Sequence, residues 1–266
     1  MRSPVLAGRP GHSRPGYAPP ALVAVAHGSR DPRSAATVAT LVAEVRRQRP
    51  DLDVRVSFLD LSAPRLPDVL DAVAADGHRR AVVVPLLLGH AFHARVDVPG
   101  AVSAAAARLP GLDIATAPVL GGHPRLSAGA LRRLAAVAGP LADPGLGVVL
   151  AAIGSSHAPA NAAVGEVVGG WARRFGWHGG IAAFATTTSP TITEAVDALR
   201  ADGARRVAVA QWILAPGLLP DRIVRDAVAA DAPVAAPLGA DPDVARAVLD
   251  RYATTAAGSA RRRAAG

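Results

Sequence analysis

Apolar and polar positions along this chain alternate between two patterns. Short continuous apolar runs, such as 81–88, are typical of strands buried on both faces of a sheet. Between them lie longer segments with apolar residues at helical spacing, as within 38–45. This alternation predicts an α/β fold in which helices cover mainly parallel sheets. The predicted strands are 21–26, 53–59, 81–88 and 113–118, followed by 147–153, 180–185, 206–214 and 233–236. The predicted helices are 33–49, 65–76, 96–108 and 124–138, followed by 160–174, 190–202, 220–230 and 241–256.

The chain contains a diverged internal repeat. The segment 22–30 (LVAVAHGSR) recurs 126 residues later as 148–156 (VVLAAIGSS), and the match continues without a gap as far as His93, at roughly a quarter identity. We therefore expect two similar doubly wound halves, 21–140 and 145–257, each built on a mainly parallel four-stranded sheet. The segment 1–20, rich in Pro, Gly and Arg, and the tail 258–266 are expected to be disordered.

Composition limits the chemistry that is available. The 266 residues include no cysteine, which excludes disulfides, thiolate ligands and thiol nucleophiles, so any metal must bind nitrogen or oxygen. All 29 Lys and Arg positions are arginine and the net charge is +8, which suits an acidic small molecule, a nucleic acid or a general bias toward arginine. Aromatic residues make up only 3% of the chain, too few for base stacking, and no segment gathers the arginines into a stripe. We expect no nucleic-acid partner.

The sequence shows no sign of a membrane or export segment. Residues 1–20 lack the apolar region that a signal peptide needs, and the longest apolar run, 81–89, is too short to span a bilayer. We therefore expect a cytoplasmic protein with no membrane partner.

Polar side chains follow three predicted strands of the first half. His27 comes after the first strand, Asp60 after the second, and His90 and His93 after the third. Because ligands of open parallel sheets bind beyond the carboxyl ends of the strands, we expect these side chains to converge at one edge. Imidazole with carboxylate suits divalent iron, cobalt, nickel or zinc, and two histidines with one carboxylate can leave coordination positions open.

Each of these candidates also has a structural interpretation. His27 could hydrogen-bond within a tight turn, Asp60 could balance nearby arginines, and His93 could cap the following helix. His90 could act as a similar cap or line the pocket. The repeat argues for function, because all four are replaced together in the second copy while many surrounding Gly, Pro and apolar positions persist. Their counterparts are Ile153, Thr186, Pro216 and Leu219. A single site in the first half is therefore predicted.

Three segments of the first half match a known family in order and spacing. They are 26–30 (AHGSR), 58–64 (FLDLSAP), and 84–88 (VPLLL) running on to 93–99 (HARVDVP). Over about 21–124 the chain resembles the class II chelatases, which insert a divalent metal into sirohydrochlorin on the routes to siroheme and cobalamin. The second half resembles the fold repeat of that family without its active site, as in the two-domain, single-site members.

The resemblance implies roles for the candidate residues. His27 and His93 would hold the metal against the macrocycle, and one of them would accept protons, since an ordinary imidazole has a pKa of about 6.5. Asp60 falls where the family commonly has a glutamate, so it keeps the charge with one methylene less of reach. It would be a ligand, orient a histidine or take the second proton. His90 has no required counterpart and could line the substrate pocket.

The substrates implied are sirohydrochlorin and a divalent metal, Fe²⁺ or Co²⁺, with no organic cofactor. Because the tetrapyrrole carries many carboxylates, Arg30, Arg33 and Arg95 are candidates for clamping it. Imidazole and carboxylate accept both metals, so these residues do not choose between iron and cobalt. Two covalently joined halves can bury one cleft, which predicts a monomer.

Two other functions fit the same residues. One is a metal-dependent hydrolase that activates water on a site of two histidines and one carboxylate, although no additional general base is evident. The other is a non-catalytic carrier of metal or tetrapyrrole. Turnover distinguishes the carrier from the catalyst, and the sequence alone does not.

Overall fold

The computed structural model describes residues 19–89, 96–186 and 188–264. The first half contains, in chain order, β1 (Ala21–Ala26), α1 (Pro32–Gln48), β2 (Val54–Phe58), α2 (Leu66–Ala75), β3 (Arg80–Pro85), α3 (Val98–Arg108), β4 (Asp113–Thr116) and α4 (Pro124–Ala138). The second half contains β5 (Leu146–Ala152), α5 (Ala158–Phe175), β6 (Gly179–Phe184), α6 (Ile192–Ala201), β7 (Arg206–Gln211), α7 (Leu218–Ala229) and α8 (Pro242–Ala264). No helix among these described residues is long and apolar enough to cross a membrane.

Both sheets are parallel, with helices packed against them, which confirms the predicted α/β class. The first sheet has the order β2-β1-β3-β4 and the second β6-β5-β7. The inner strands β1 and β5 are buried along their whole length. This explains why both read as unbroken apolar runs. The residues that follow these two strands lie at the carboxyl edges of the sheets, where parallel α/β proteins bind ligands.

The second sheet has three strands, so the prediction of a fourth strand over 233–236 is wrong. A single parallel bridge joins Val209 to Val234. Two hydrogen bonds support it, from the amide of Val209 to the carbonyl of Pro233 and from the amide of Ala235 to the carbonyl of Val209, each 2.8 Å long. Proline has no amide hydrogen, so Pro233 and Pro237 on either side of the bridge cannot donate to the ladder.

The last helix of each half packs on the other half. Helix α4 lies against β7 of the second sheet, whereas α8 lies against α1, β3 and β4 of the first half. One apolar core consequently runs through both sheets. The hydroxyl of the buried Tyr252 in α8 donates a 2.7 Å hydrogen bond to the carbonyl of Pro20, just before β1. This exchange of helices ties the two halves together.

The tail also differs from its prediction, because α8 continues to Ala264 through most of the segment 258–266 that was expected to be disordered. Alanine and arginine, which dominate this stretch, are strong helix formers. Ser259 is buried and accepts a hydrogen bond from the Arg262 guanidinium. Residues 1–18 of the other predicted disordered segment lie outside the described residues.

Candidate functional site

The structure brings His27 and Asp60 together at the carboxyl edge of the first sheet, as the sequence predicted. Pairing of β1 with β2 continues past the strands, since the amide of Leu59 donates to the carbonyl of Ala26 and that of Asp60 to the carbonyl of His27, both at 2.9 Å. His27 is partly buried, and the side chain of Asp60 is 57% exposed. The residues that carry the carboxylate and the imidazole are therefore adjacent where β1 and β2 end.

The turn after β1 is pressed against the turn after β2. Gly28 has φ +98°, and a Cβ placed there would overlap the carbonyl oxygen of Asp60. The Ser62 hydroxyl locks the two turns by accepting from the amide of Ser29 and donating to its carbonyl, at 3.2 and 3.1 Å. Asp31 then caps α1 by accepting from the amide of Arg33. Glycine is needed at position 28 because only hydrogen fits between the turns.

Asp60 is held as an ionised carboxylate. The pKa of Asp60 is lowered first by the backbone N–H of Leu61 and then by the Arg65 guanidinium, with a smaller contribution from the charge of His27. Arg65 donates to Oδ1 of Asp60 at 2.8 Å and to the carbonyl of Leu59 at 2.7 Å. A carboxylate with a lowered pKa is a weak proton acceptor at neutral pH. This environment favours a ligand or electrostatic role for Asp60 over the predicted role as an acceptor of the second proton.

The two described arginine candidates differ in their surroundings. Arg30 is exposed on the turn beside His27. Arg33 is gripped by a carboxylate from each half: Nε lies 3.0 Å from Oδ1 of Asp31, and Nη2 lies 2.5 Å from Oδ2 of Asp221 in the first turn of α7. Both pairs raise the pKa of Arg33. Arg33 therefore ties the two halves together, and its predicted role as a clamp on substrate stays a prediction.

The remaining candidates, His90, His93 and Arg95, lie outside the described residues. Over 19–89, 96–186 and 188–264, no three His, Asp or Glu side chains are arranged to hold a metal ion. The predicted site needs His93 as well as His27 and Asp60, so that set stays a prediction.

An apolar cavity of about 280 Å³ lies between the halves, where the sequence predicted one cleft, but the residues that line it were not predicted. Its walls are formed by residues that follow β3, β5 and β7, including Leu86, Leu88, Ile153, Trp212, Ile213 and Leu214. A second cavity of about 450 Å³ shares Leu88 and Trp212 and reaches His157 and Glu166. Ile153, the counterpart of His27, is thus part of an apolar wall. The sequence feature from which this lining could have been predicted is Trp212, a large aromatic residue directly after a buried strand.

Comparisons with known proteins agree with this architecture. The family model described as CbiX matches residues 21–137 and 147–255. The sirohydrochlorin cobaltochelatase of Methanothermobacter thermautotrophicus is 33% identical over 78 residues, 29% of this chain and 54% of that protein. The sirohydrochlorin ferrochelatase of Bacillus subtilis is 26% identical over 244 residues, 90% of this chain and 93% of that protein. The match therefore spans about half the length of the archaeal relative and nearly all of the Bacillus one.

Solved structures share the whole fold. The structure described as SirB from Bacillus subtilis with Fe³⁺ superposes with a TM-score of 0.81 at 25% identity, covering 91% of this chain and 97% of that one. A SirB structure in complex with cobalt, from Bacillus subtilis subspecies spizizenii, gives a TM-score of 0.75 at 23% identity, covering 90% and 95%. The second match bears on the fold alone.

Proposed function

The chain belongs to the CbiX family, and from this membership we propose that it is a sirohydrochlorin chelatase that inserts Fe²⁺ or Co²⁺ into the tetrapyrrole. The observation that carries the proposal is the pairing of His27 with Asp60 at the end of an inner strand. β3, the neighbouring strand, leads into the apolar cavity between the halves. A planar, largely apolar macrocycle and a divalent cation can meet at such a place.

In the proposed reaction the chain's side chains receive the metal and one of the two protons that insertion releases. Insertion replaces two pyrrolic N–H bonds with two bonds to the metal and releases two protons. His27 and His93 hold the incoming cation. As the cation passes to the macrocycle, the imidazole that releases it accepts one pyrrolic proton, and the second proton leaves to solvent water. Asp60, being ionised, supplies negative charge that attracts the cation, as a ligand or by orienting a histidine.

We propose that substrate carboxylates are bound by the exposed Arg30 and by Arg95, with His90 lining the pocket. Arg33 is left out of this set because Asp31 and Asp221 already occupy its guanidinium.

The second half serves as a wall of a single cleft in this proposal. Ile153 stands where a second histidine would be needed for a second site. We propose that each repeat, 21–140 and 145–257, forms one domain of the chelatase fold. A monomeric state and a cytoplasmic location stay predictions from the sequence.

The test is metal insertion by the purified full chain. Sirohydrochlorin is mixed with Co²⁺ or Fe²⁺ under anaerobic conditions, and the absorbance change of the tetrapyrrole is followed. We expect insertion well above the uncatalysed rate and a loss of at least about 100-fold in His27→Ala and in His93→Ala. The ratio of kcat/KM for the two metals identifies the preferred one.

His178→Ala is the matched control. His178 lies 3.0 Å from Asp202, away from the carboxyl edge, so its loss should leave insertion unchanged. Insertion at the background rate contradicts the proposal, as does full activity of both His27→Ala and His93→Ala. Tight binding of tetrapyrrole or metal without insertion would instead identify a carrier.

A further inference from the structure

Leu61, directly after Asp60, has an unusual backbone conformation. Its φ is +59°, and the amide of Ser62 donates a 2.7 Å hydrogen bond back to the carbonyl of Asp60. A three-residue turn with this sign of φ at its centre is rare and strained. Among the described residues, Asp231 is the other non-glycine with positive φ, and aspartate tolerates that region far better than leucine does.

The residues on both sides of Leu61 are fixed to their surroundings. The Asp60 backbone is bonded to His27 and its side chain to Arg65, whereas Ser62 is bonded to Ser29. Leu61 itself is 47% exposed. Neither its conformation nor its exposure stabilises the folded chain, since glycine or asparagine would relieve the strain and expose less apolar surface. Strain that the surrounding contacts maintain is characteristic of functional sites.

Other exposed apolar side chains lie at the same edge. We define the apolar rim as Leu61 after β2, Val96 before α3, and Leu218 and Leu219 at the start of α7. Leu218 is 74% exposed and Leu219 42%. The start of α7 borders the His27 turn, since a Cβ at Gly217 would lie 4.0 Å from Oγ of Ser29. Exposed apolar residues thus flank that turn from both halves, which indicates an apolar ligand.

We propose that Leu61 is a substrate-contacting residue that packs on the apolar face of sirohydrochlorin beside Asp60. The inference rests on the proposed function and adds to it the side chain that sets affinity for the tetrapyrrole but not for the metal. The carboxylates at the edge of the macrocycle need cationic partners, whereas its face needs apolar contact. Leu218 supplies a second contact from the other half.

The test is a titration of metal-free sirohydrochlorin with the full chain, followed by absorbance. We expect Leu61→Asn to weaken binding about five- to tenfold, because asparagine tolerates the left-handed conformation but removes the apolar contact. Leu61→Met, which stays apolar, should bind within about twofold of the unsubstituted chain. The apparent KM for Co²⁺ should stay the same in both variants, which a general loss of structure would not allow.

Controls make the result specific. Val137→Asn changes an exposed valine on α4, outside the apolar rim, and should leave binding unchanged; Leu218→Asn should weaken it as Leu61→Asn does. Binding by Leu61→Asn and Leu218→Asn within about twofold of the unsubstituted chain overturns the inference. If the unsubstituted chain binds sirohydrochlorin but inserts no metal, the proposed catalysis is wrong, whereas the weaker binding of Leu61→Asn still supports the role of Leu61. Failure of the unsubstituted chain to bind the tetrapyrrole overturns both.

Discussion

Replacing Gly28 with alanine should damage the site more than its size suggests. Gly28 has φ +98°, and a Cβ there would overlap the carbonyl oxygen of Asp60 and lie 2.8 Å from the carbonyl carbon. Both obstacles are backbone atoms, which cannot rotate away as a side chain can. The turn that carries Asp60 would have to move away from His27.

Gly77 and Gly154 also have positive φ, so alanine at these two positions gives a scale for the loss of stability at Gly28. Gly77 has φ +87°, and a Cβ added there would meet no atom within 4 Å, so Gly77→Ala should cost only the conformational penalty, about 1 kcal/mol of unfolding free energy. Gly154, the counterpart of Gly28, has φ +92° and would place a Cβ 2.5 Å from Oγ1 of Thr186, a hydroxyl that can rotate away, and 3.1 Å from Cβ of Phe184. We expect about 2 kcal/mol there, because the hydroxyl must shift as well. Gly28→Ala adds a backbone displacement and should cost about 3–4 kcal/mol.

Urea unfolding of the three variants measures this order, with the m-value checked for constancy. Metal insertion is measured on the folded fraction of each variant. Gly28→Ala should also lose insertion activity, whereas Gly77→Ala should keep it. A Gly28→Ala variant that is no more destabilised than Gly77→Ala, or that retains full insertion activity, would contradict this prediction.

Three further predictions test other contacts. Arg33→Glu should slow insertion through a looser cleft. The exposed pair with Asp221 accounts for no more than about 1 kcal/mol of unfolding free energy, and the nearly buried Asp31 adds to the loss. Adding Asp221→Arg should restore the rate, which would not happen if Arg33 bound a carboxylate of the substrate. Asp60→Asn should lower the insertion rate. The pH profile of insertion above about pH 5 should not shift, because the lowered pKa of Asp60 keeps this carboxylate ionised there. A shifted profile would indicate that Asp60 accepts a proton during insertion. Burial raises the pKa of Tyr252 to about 12 from its ordinary 10.0, so folding favours the neutral phenol. The unfolding free energy should therefore fall as the pH rises from about 10 to about 12. Tyr252→Phe should lose that dependence and about 1–2 kcal/mol of unfolding free energy through its bond to Pro20, with insertion at neutral pH unchanged.

Much of the candidate site could be predicted because it is local in origin. Strand β1 reads as an apolar run since both its faces are buried, and the polar residue that ends the run is His27. Parallel pairing of adjacent strands then brings Asp60 beside it without any knowledge of side-chain packing. The repeat provides a comparison that lacks the histidine, because the second copy keeps the Gly-Ser turn but has Ile153 in place of His27.

The partner of Arg33 could not be predicted in this way. Asp221 lies 188 residues away, and the chain offers many other carboxylates to an exposed arginine. The sequence reasoning assigned Arg33 to the substrate because it stands beside His27. The structure assigns it to the contact between halves because α1 and α7 begin on facing turns.

The α/β class, the repeat, the order of the elements except the strand over 233–236, and the polar residues at the strand ends could be predicted, because each depends on residue type and spacing along a short segment. Three features depend on contacts between distant segments and could not be predicted. They are the exchange of sheets by α4 and α8, the lining of the cavity by Trp212, and the strained, exposed position of Leu61 beside Asp60. An amphipathic stripe shows that a helix face is buried, but any sheet of suitable shape can bury it. The choice follows from packing both repeats at once into one core.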